Sequence, residues 1–200
     1  INCHAGKLPF YRGRNVLNWV LINDEKEFGI TVHYVDEGID TGDIILQKKF
    51  LISDQDNYKT LLEKSYIECA NILHESILMF KNNNVMAIKQ KDIDAHGSYC
   101  IKRKLGDEIL NWNQTSREIF NFVRAICKPG PSARAFINQR EMKINKVEKV
   151  HHTLLNKNSS IGKILQKNSK SFIVKTQDSF LRVLEFEFDG ELKVGDRFEV

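Results

Sequence analysis

An α/β fold in two parts is what the sequence predicts, and three observations predict it. The first fifty residues alternate apolar, β-type runs with a loop broken by Gly and Pro and with one short helical stretch. A long amphipathic pattern then runs over residues 54–80. After Gly97 the texture changes to short β-like runs separated by Asn, Gly and Ser, which point to a small antiparallel barrel or sandwich. The division is expected near residues 92–98, giving parts 1–95 and 96–200.

Residues 1–4 read as the end of a buried strand, and residues 5–13 as the loop after it, because Gly6, Pro9 and Gly13 interrupt regular structure. Residues 15–23 place Val16, Leu17, Val20 and Leu21 at helical spacing beside Trp19. The β-branched run GITVHYV (29–35) and the run IILQKKF (44–50) are strands, with DEGIDTGD turning between them. In the long helix, Leu61, Leu62, Ile67, Ala70, Ile72, Leu73, Ile77 and Leu78 supply a broad apolar face, and Asn82 to Asn84 end it. The second part holds one helix, 116–126, and the β-like runs ARAFI, EMKINKVEKV, IGKILQK, SFIVKT and FLRVLEFEF. The tract KNSSIGKILQKNSKS fits exposed turns.

Composition narrows the function classes. With 42% hydrophobic and 28% charged residues the chain has an ordinary soluble make-up. No apolar run approaches the roughly 20 residues of a membrane span, and residues 1–13 lack the pattern of a signal peptide, so a cytoplasmic location without membrane association is expected. A net charge of +4 from scattered lysines does not argue for nucleic acid, although it suits a phosphate-bearing substrate. Cys3, Cys69, Cys100 and Cys127 have neither zinc spacing nor a disulfide framework, so reduced thiols and no metal are expected. Because the chain opens in what reads as the middle of a strand with no initiator Met, the first part is expected to be the C-terminal portion of a domain whose N-terminal part is missing.

Two stretches can carry chemistry. In Asn2-Cys3-His4 a period of two puts the carboxamide and the imidazole on one side of the strand, where both can hydrogen-bond a carbonyl oxygen. Cys3 points the other way and reads as core. An isolated N-x-H also reads as a polar strand end capping a neighbouring loop. In DEGIDTGD, Asp36, Asp40 and Asp43 are separated by Gly38 and Gly42, which also reads as a solvated turn, or as a calcium loop short of the ligand count and terminal Glu of an EF-hand. If the two strands are neighbours in one sheet, Asp40 can reach His4 and make an acid–base pair with it. His33 reads as a satisfied strand histidine outside that pair.

Taken in order, N-x-H, LPFYRG, GITVH and DEGIDTG resemble the catalytic core of the folate-dependent formyltransferases. That family includes the methionyl-tRNA, glycinamide ribonucleotide and sugar-nucleotide enzymes. Within it, RGRNVLNWVLIND followed by GITVHYV is most similar to the sugar-nucleotide N-formyltransferases, and the likeness extends weakly through IKRKLGDEILNW and FVRAICKPGPSARAF. Ala5-Gly6-Lys7 departs from the Ser-Leu-Leu common before the proline of that loop.

The resemblance implies the C-terminal portion of a Rossmann-like formyltransferase domain followed by a small antiparallel, OB-like β-barrel. It implies 10-formyltetrahydrofolate as cosubstrate, no metal, and Asn2, His4 and Asp40 as the catalytic trio. The partner it implies is a dTDP- or UDP-linked amino sugar, with nucleic acid disfavoured and a homodimer possible. Asn2 and a protonated His4 would then stabilise the formyl oxygen while Asp40 keeps His4 charged. Arg103 would belong to the acceptor site, with a plain solvated Arg as the alternative. Arg12 and Arg14 would orient their loop and meet phosphate, and Arg124 would flank the nucleotide, although the KPGP turn beside it is also explained as a hinge. Leu8, Pro9, Asp36 and Gly38 would contact the folate, and Trp19 and Trp112 read as packing anchors. Methionyl-tRNA formylation and a non-catalytic nucleotide-binding module are the alternatives.

Overall fold

The computed structural model describes residues 1–150, 155–156 and 158–199; Lys157 of the turn-rich tract lies outside them. The chain divides into two units, Ile1–Lys104 and Leu105–Val200.

The first unit contains β1 (Asn2–His4), β2 (Arg12–Gly13), α1 (Val16–Ile22), β3 (Glu27–His33), β4 (Ile44–Leu51), α2 (Tyr58–Lys81), α3 (Gln90–Ile93) and β5 (Tyr99–Cys100). Its main sheet has the order β1-β3-β4, antiparallel throughout. The central strand β3 is buried on both faces from Phe28 to His33, which is why its β-branched run is nearly continuous. It stops at His33 rather than Val35, and Tyr34 and Val35 turn outward.

Helix α2 starts at Tyr58, fixed by a capping box in which Asn57 accepts from the Thr60 backbone N–H while the Thr60 hydroxyl accepts from that of Asn57. Its enclosed stripe is narrower than the pattern predicts: Leu61, Ser65, Ile72 and Ser76 are buried, whereas Ile67, Ile77 and Leu78 face outward. The serines keep the seam against the sheet thin, and Ser76 returns its hydroxyl to the Ile72 carbonyl at 2.9 Å.

α3 and β5, too short to leave a periodic signal, complete this unit. β5 pairs in parallel with β2, Arg12 opposite Tyr99. That pairing holds residues 96–104 on the first unit, beyond the division expected after residue 95.

The second unit contains α4 (Ser116–Ile126), β6 (Ala133–Ile137), β7 (Arg140–Lys149), β8 (Ile164–Lys167), β9 (Phe172–Lys175) and β10 (Phe180–Phe188). Its five strands form an antiparallel sheet of order β6-β7-β10-β9-β8. Among the described residues the strands form no closed ladder, so of the expected OB-like barrel the antiparallel sheet is what is seen. Residues 196–199 bond both edges, with Ile164 N–H donating to the Asp196 carbonyl at 2.8 Å and Glu199 N–H to the Phe136 carbonyl at 2.9 Å. Trp112 stacks on Phe198 at 4.8 Å, and Phe172 packs on Phe198 and Phe186, so Trp112 is a packing anchor. No helix among the described residues is long and apolar enough to cross a membrane.

Candidate active site

Strand pairing builds the site. β1 and β3 run antiparallel with Asn2 opposite His33 and His4 opposite Thr31, so Asn2, His4 and His33 share one side of the sheet. Cys3 lies on the other side, its thiol 3.6 Å from the Cys69 carbonyl of α2. Its interaction with Cys69, and then burial, push the Cys3 thiol up, so it is held protonated.

The turn between β3 and β4 brings the fourth group. Asp36 closes that turn, accepting from the Gly38 backbone N–H at 3.2 Å and from the Thr41 hydroxyl at 2.6 Å. Gly42 is required where the turn returns to the sheet, because a Cβ there would stand 1.9 Å from the Tyr34 carbonyl oxygen. Asp40, at φ 55°, is thereby thrown across the end of the strands. Its Oδ2 accepts from the Gly13 backbone N–H at 2.9 Å and lies 3.5 Å from His4 Nδ1. Its Oδ1 lies 3.4 Å from Asn2 Nδ2 and 3.5 Å from His33 Nε2. One carboxylate thus meets a carboxamide and two imidazoles.

The tautomers follow from the acceptors. His4 Nε2 donates to the Tyr11 carbonyl at 2.7 Å, which leaves Nδ1 facing Asp40. Gly6 admits this arrangement, since a Cβ there would come within 2.3 Å of His4 Nε2. His33 Nδ1 donates to the Tyr34 carbonyl at 2.7 Å, so its Nε2 accepts from Asn2 Nδ2 at 3.2 Å. Burial lowers His4 from its ordinary 6.5; the Tyr11 carbonyl and Asp40 pull the other way, and nearby His33 adds to the lowering. Burial thus disfavours the charged ring that the sequence reading expects, while Asp40 favours it. The ring borders a depression of about 300 Å³ lined also by Gly13, Asn15, Asn18 and Tyr58.

Of the other residues singled out in the sequence, Arg12 is 8% exposed and its guanidinium is held by Gln90, the His96 carbonyl and Tyr99. It is turned inward, which removes it from the phosphate contact expected of it. Arg14 is exposed, while its backbone N–H bonds the Cys100 carbonyl. Arg103 is half-buried over the Trp19 ring at 5.7 Å, and Trp19 is tied in turn to the Ile101 carbonyl at 2.9 Å. Arg124 belongs to the second unit, 6% exposed, with Nε on Asn121 at 3.0 Å and its guanidinium over Phe120.

Leu8 and Pro9 are buried, and the Leu8 carbonyl accepts from Gln47 Nε2 at 2.8 Å. Asp36 and Gly38 shape the turn. Sequence reasoning set His33 aside and did not single out Gln90. The β1–β3 register is what brings His33 in: Asn2 stands opposite His33, and a shift of one residue would turn His33 to the other face. Among the described residues no cluster of His, Cys, Asp and Glu is arranged to hold a metal.

The fold and this buried carboxylate–imidazole cluster define the class, and comparison with known proteins identifies it. The profile of the formyl transferase family matches residues 1–77, and that of the formyl transferase C-terminal domain matches residues 103–195. The chain belongs to the formyl transferase family. It is 36% identical over 98% of its length to the methionyl-tRNA formyltransferase of Caldanaerobacter subterraneus, covering 62% of that protein. It is also 36% identical, over 70% of its length, to the bifunctional polymyxin resistance protein ArnA of Wigglesworthia glossinidia brevipalpis, of which it covers 21%. In structure it is similar to the N-formyltransferase of Helicobacter canadensis, solved with folinic acid and dTDP-3-aminofucose, with a TM-score of 0.72 and 28% identity over 93% of this chain and 65% of that one. The chain therefore spans about three-fifths of the length of the curated relatives it matches.

Proposed function

We propose that this chain transfers the formyl group of 10-formyltetrahydrofolate to the amine of a nucleotide-linked amino sugar, carried on dTDP or UDP. The observation that carries the reading is the gathering of Asn2, His4 and His33 on Asp40, within 3.4 to 3.5 Å of its carboxylate. A neutral amine attacks the formyl carbon, forming the C–N bond; the bond from that carbon to N10 of the folate breaks, N10 takes a proton, and the amine loses one. Asn2 keeps one N–H on His33 at 3.2 Å and aims the other at Asp40 across a longer 3.4 Å, so the second is the donor that a formyl oxygen takes over. Neutral His4 with Asp40 accepts the proton lost by the amine, burial favouring the uncharged ring that can take it up. No enzyme nucleophile is needed.

The amino-sugar acceptor is supported by the Helicobacter enzyme bound to its dTDP-sugar. In the second unit some basic side chains are matched with acidic ones, Lys128 with Glu187, Arg134 with Glu108 and Glu141, Lys146 with Glu185, and Arg182 with Glu148, while Lys167 and Lys170 are exposed and Lys and Arg outnumber Asp and Glu. Phosphate-backbone recognition calls for unmatched basic surface. The second reading, methionyl-tRNA formylation, is favoured by the named curated relatives, among them one 38% identical over 96% of the chain.

The test incubates the full chain with 10-formyltetrahydrofolate and, in parallel, dTDP-amino sugars, UDP-amino sugars and charged initiator tRNA. A formamide on a sugar supports the first reading. Formylation of tRNA alone selects the second, and folate binding without transfer to any acceptor rejects both.

A further inference from the structure

One carboxamide holds the turn that presents Asp40. Gln90, at the start of α3 and 3% exposed, donates from Nε2 to the Asp40 and Gly42 carbonyls, both at 2.8 Å. Its Oε1 accepts from Arg12 Nε at 3.0 Å and Nη2 at 2.7 Å. Arg12 is anchored behind it, with Nη1 on the His96 carbonyl at 3.3 Å and the guanidinium over the Tyr99 ring at 5.3 Å. β2 therefore grips Asp40 twice, through the Gly13 N–H on the carboxylate and through Arg12 and Gln90 on the backbone.

The turn needs that grip. Asp40 sits in the left-handed region at φ 55°, which Asp tolerates better than most side chains but less readily than Gly. A carboxamide alone offers two donors toward the turn and an acceptor toward the arginine. Glutamate at 90 would set a carboxylate oxygen against two carbonyls, and lysine at 12 would replace a planar fork with a point charge.

We propose that Gln90 and Arg12 are positioning residues for the His4–Asp40 pair: they fix the distance between imidazole and carboxylate, and so the proton affinity of the pair, without touching reacting atoms. The consequence for turnover rests on the transfer reading above. The titratable groups that meet Asp40 are His4 from β1 and His33 from β3; Arg12 of β2 stands behind Gln90, and Asp36 on the same turn is tied to Thr41.

The experiment compares the full chain with Gln90→Glu, Gln90→Met and Arg12→Lys. It measures kcat and KM, the pH profile of kcat, and the substrate-free NMR titration of the His4 ring, assigned against His4→Gln. Gln90→Glu is expected to lower kcat on the order of ten- to a hundredfold with KM nearly unchanged, as for a displaced catalytic group. The His4 midpoint and the matching limb of the kcat profile should move together, with Arg12→Lys intermediate. Folded Gln90 variants whose His4 titration and kcat profile match the parent overturn the proposal, as does a loss of kcat that follows only the unfolded fraction. If Gln90→Glu does not fold, Gln90→Met and Arg12→Lys decide by the same criteria. Because the titration needs no substrate, a moved midpoint in a protein that formylates nothing supports the lock and rejects the transfer reading.

Discussion

The two units enclose polar groups to different ends. In the first, His4, Arg12, His33 and Gln90 are buried, and their polar contacts lead through neighbours 7 to 78 positions away to Asp40 and its turn. In the second, buried polar side chains finish helix ends and turns: Ser116 and Thr176 share Asp178, and the Ser132 hydroxyl donates to Asn145 at 2.8 Å. Stacked aromatic rings add long-range packing there. Burial in the first unit holds groups whose protonation matters, and burial in the second holds the chain together.

That contrast is broken most directly at Asp40. Asp40→Asn keeps an acceptor for the Gly13 N–H and removes the charge between the two imidazoles. A lost acid–base group costs about 10²- to 10⁴-fold in rate, so turnover should fall by that order while the denaturant midpoint stays near that of the parent. A parent-like turnover number would end the mechanistic assignment. The mirror experiment is Phe172→Ala, which empties the centre of the stack formed with Phe186 and Phe198. Equilibrium unfolding should show a loss of about 3–5 kcal/mol, with kcat per folded molecule unchanged. If Phe172→Ala instead lowers kcat in the folded state, the second unit is not merely structural.

Titration sharpens the comparison. His4 is lowered by burial from 6.5, so the unfolded chain takes up its proton at higher pH than the folded one. The stability tied to a neutral His4 is present above pH 6.5 and is lost as pH falls through that value toward the lower folded one. Asp178 behaves oppositely in origin: burial works to raise it, but hydrogen bonds from Ser116 and Thr176 prevail and hold it below its ordinary 3.8. Its contribution is present above pH 3.8 and disappears only in stronger acid. Unfolding followed from pH 8 to pH 3 should therefore show a first loss near and below pH 6.5 that His4→Gln abolishes, and a later one that Asp178→Asn abolishes. A first loss that survives His4→Gln would show that another group sets it.

Sequence alone went as far as local patterning and adjacency could carry it. Alternation placed Asn2 with His4 and Cys3 opposite, and the assumption that consecutive strands are neighbours brought Asp40 within reach. It stopped where side chains choose partners across long separations. Nothing near Arg12 announces that its guanidinium is spent on Gln90, 78 positions on, and nothing in GITVHYV separates His33 from an ordinary strand residue until the register sets it opposite Asn2. Short runs in the second part announced the strands and not their order; whether the two edge strands meet depends on where residues 196–199 run, and they bond both edges without closing the ladder. The length of α2 was legible from its apolar spacing, whereas the width of its buried stripe was not, because the serines that line the seam carry no hydrophobic signal.

The smallest effect tests the outer face of the second sheet. Lys146 and Glu185 stand 3.9 Å apart across β7 and β10, each more than half exposed, with side-chain values of 60% and 63%. At that exposure water screens the attraction, and ordering two long side chains offsets much of what remains, so Lys146→Ala should change unfolding free energy by less than about 0.5 kcal/mol. Asp40, by contrast, has a side chain only 14% exposed and sits among partners fixed by the backbone, where removing the charge has no solvent to compensate it. Raising the salt concentration should leave the Lys146→Ala difference near zero. A loss well above 1 kcal/mol, abolished by salt, would mean that charge order on this face carries stability after all, and the division of labour between the two units would have to be redrawn around it.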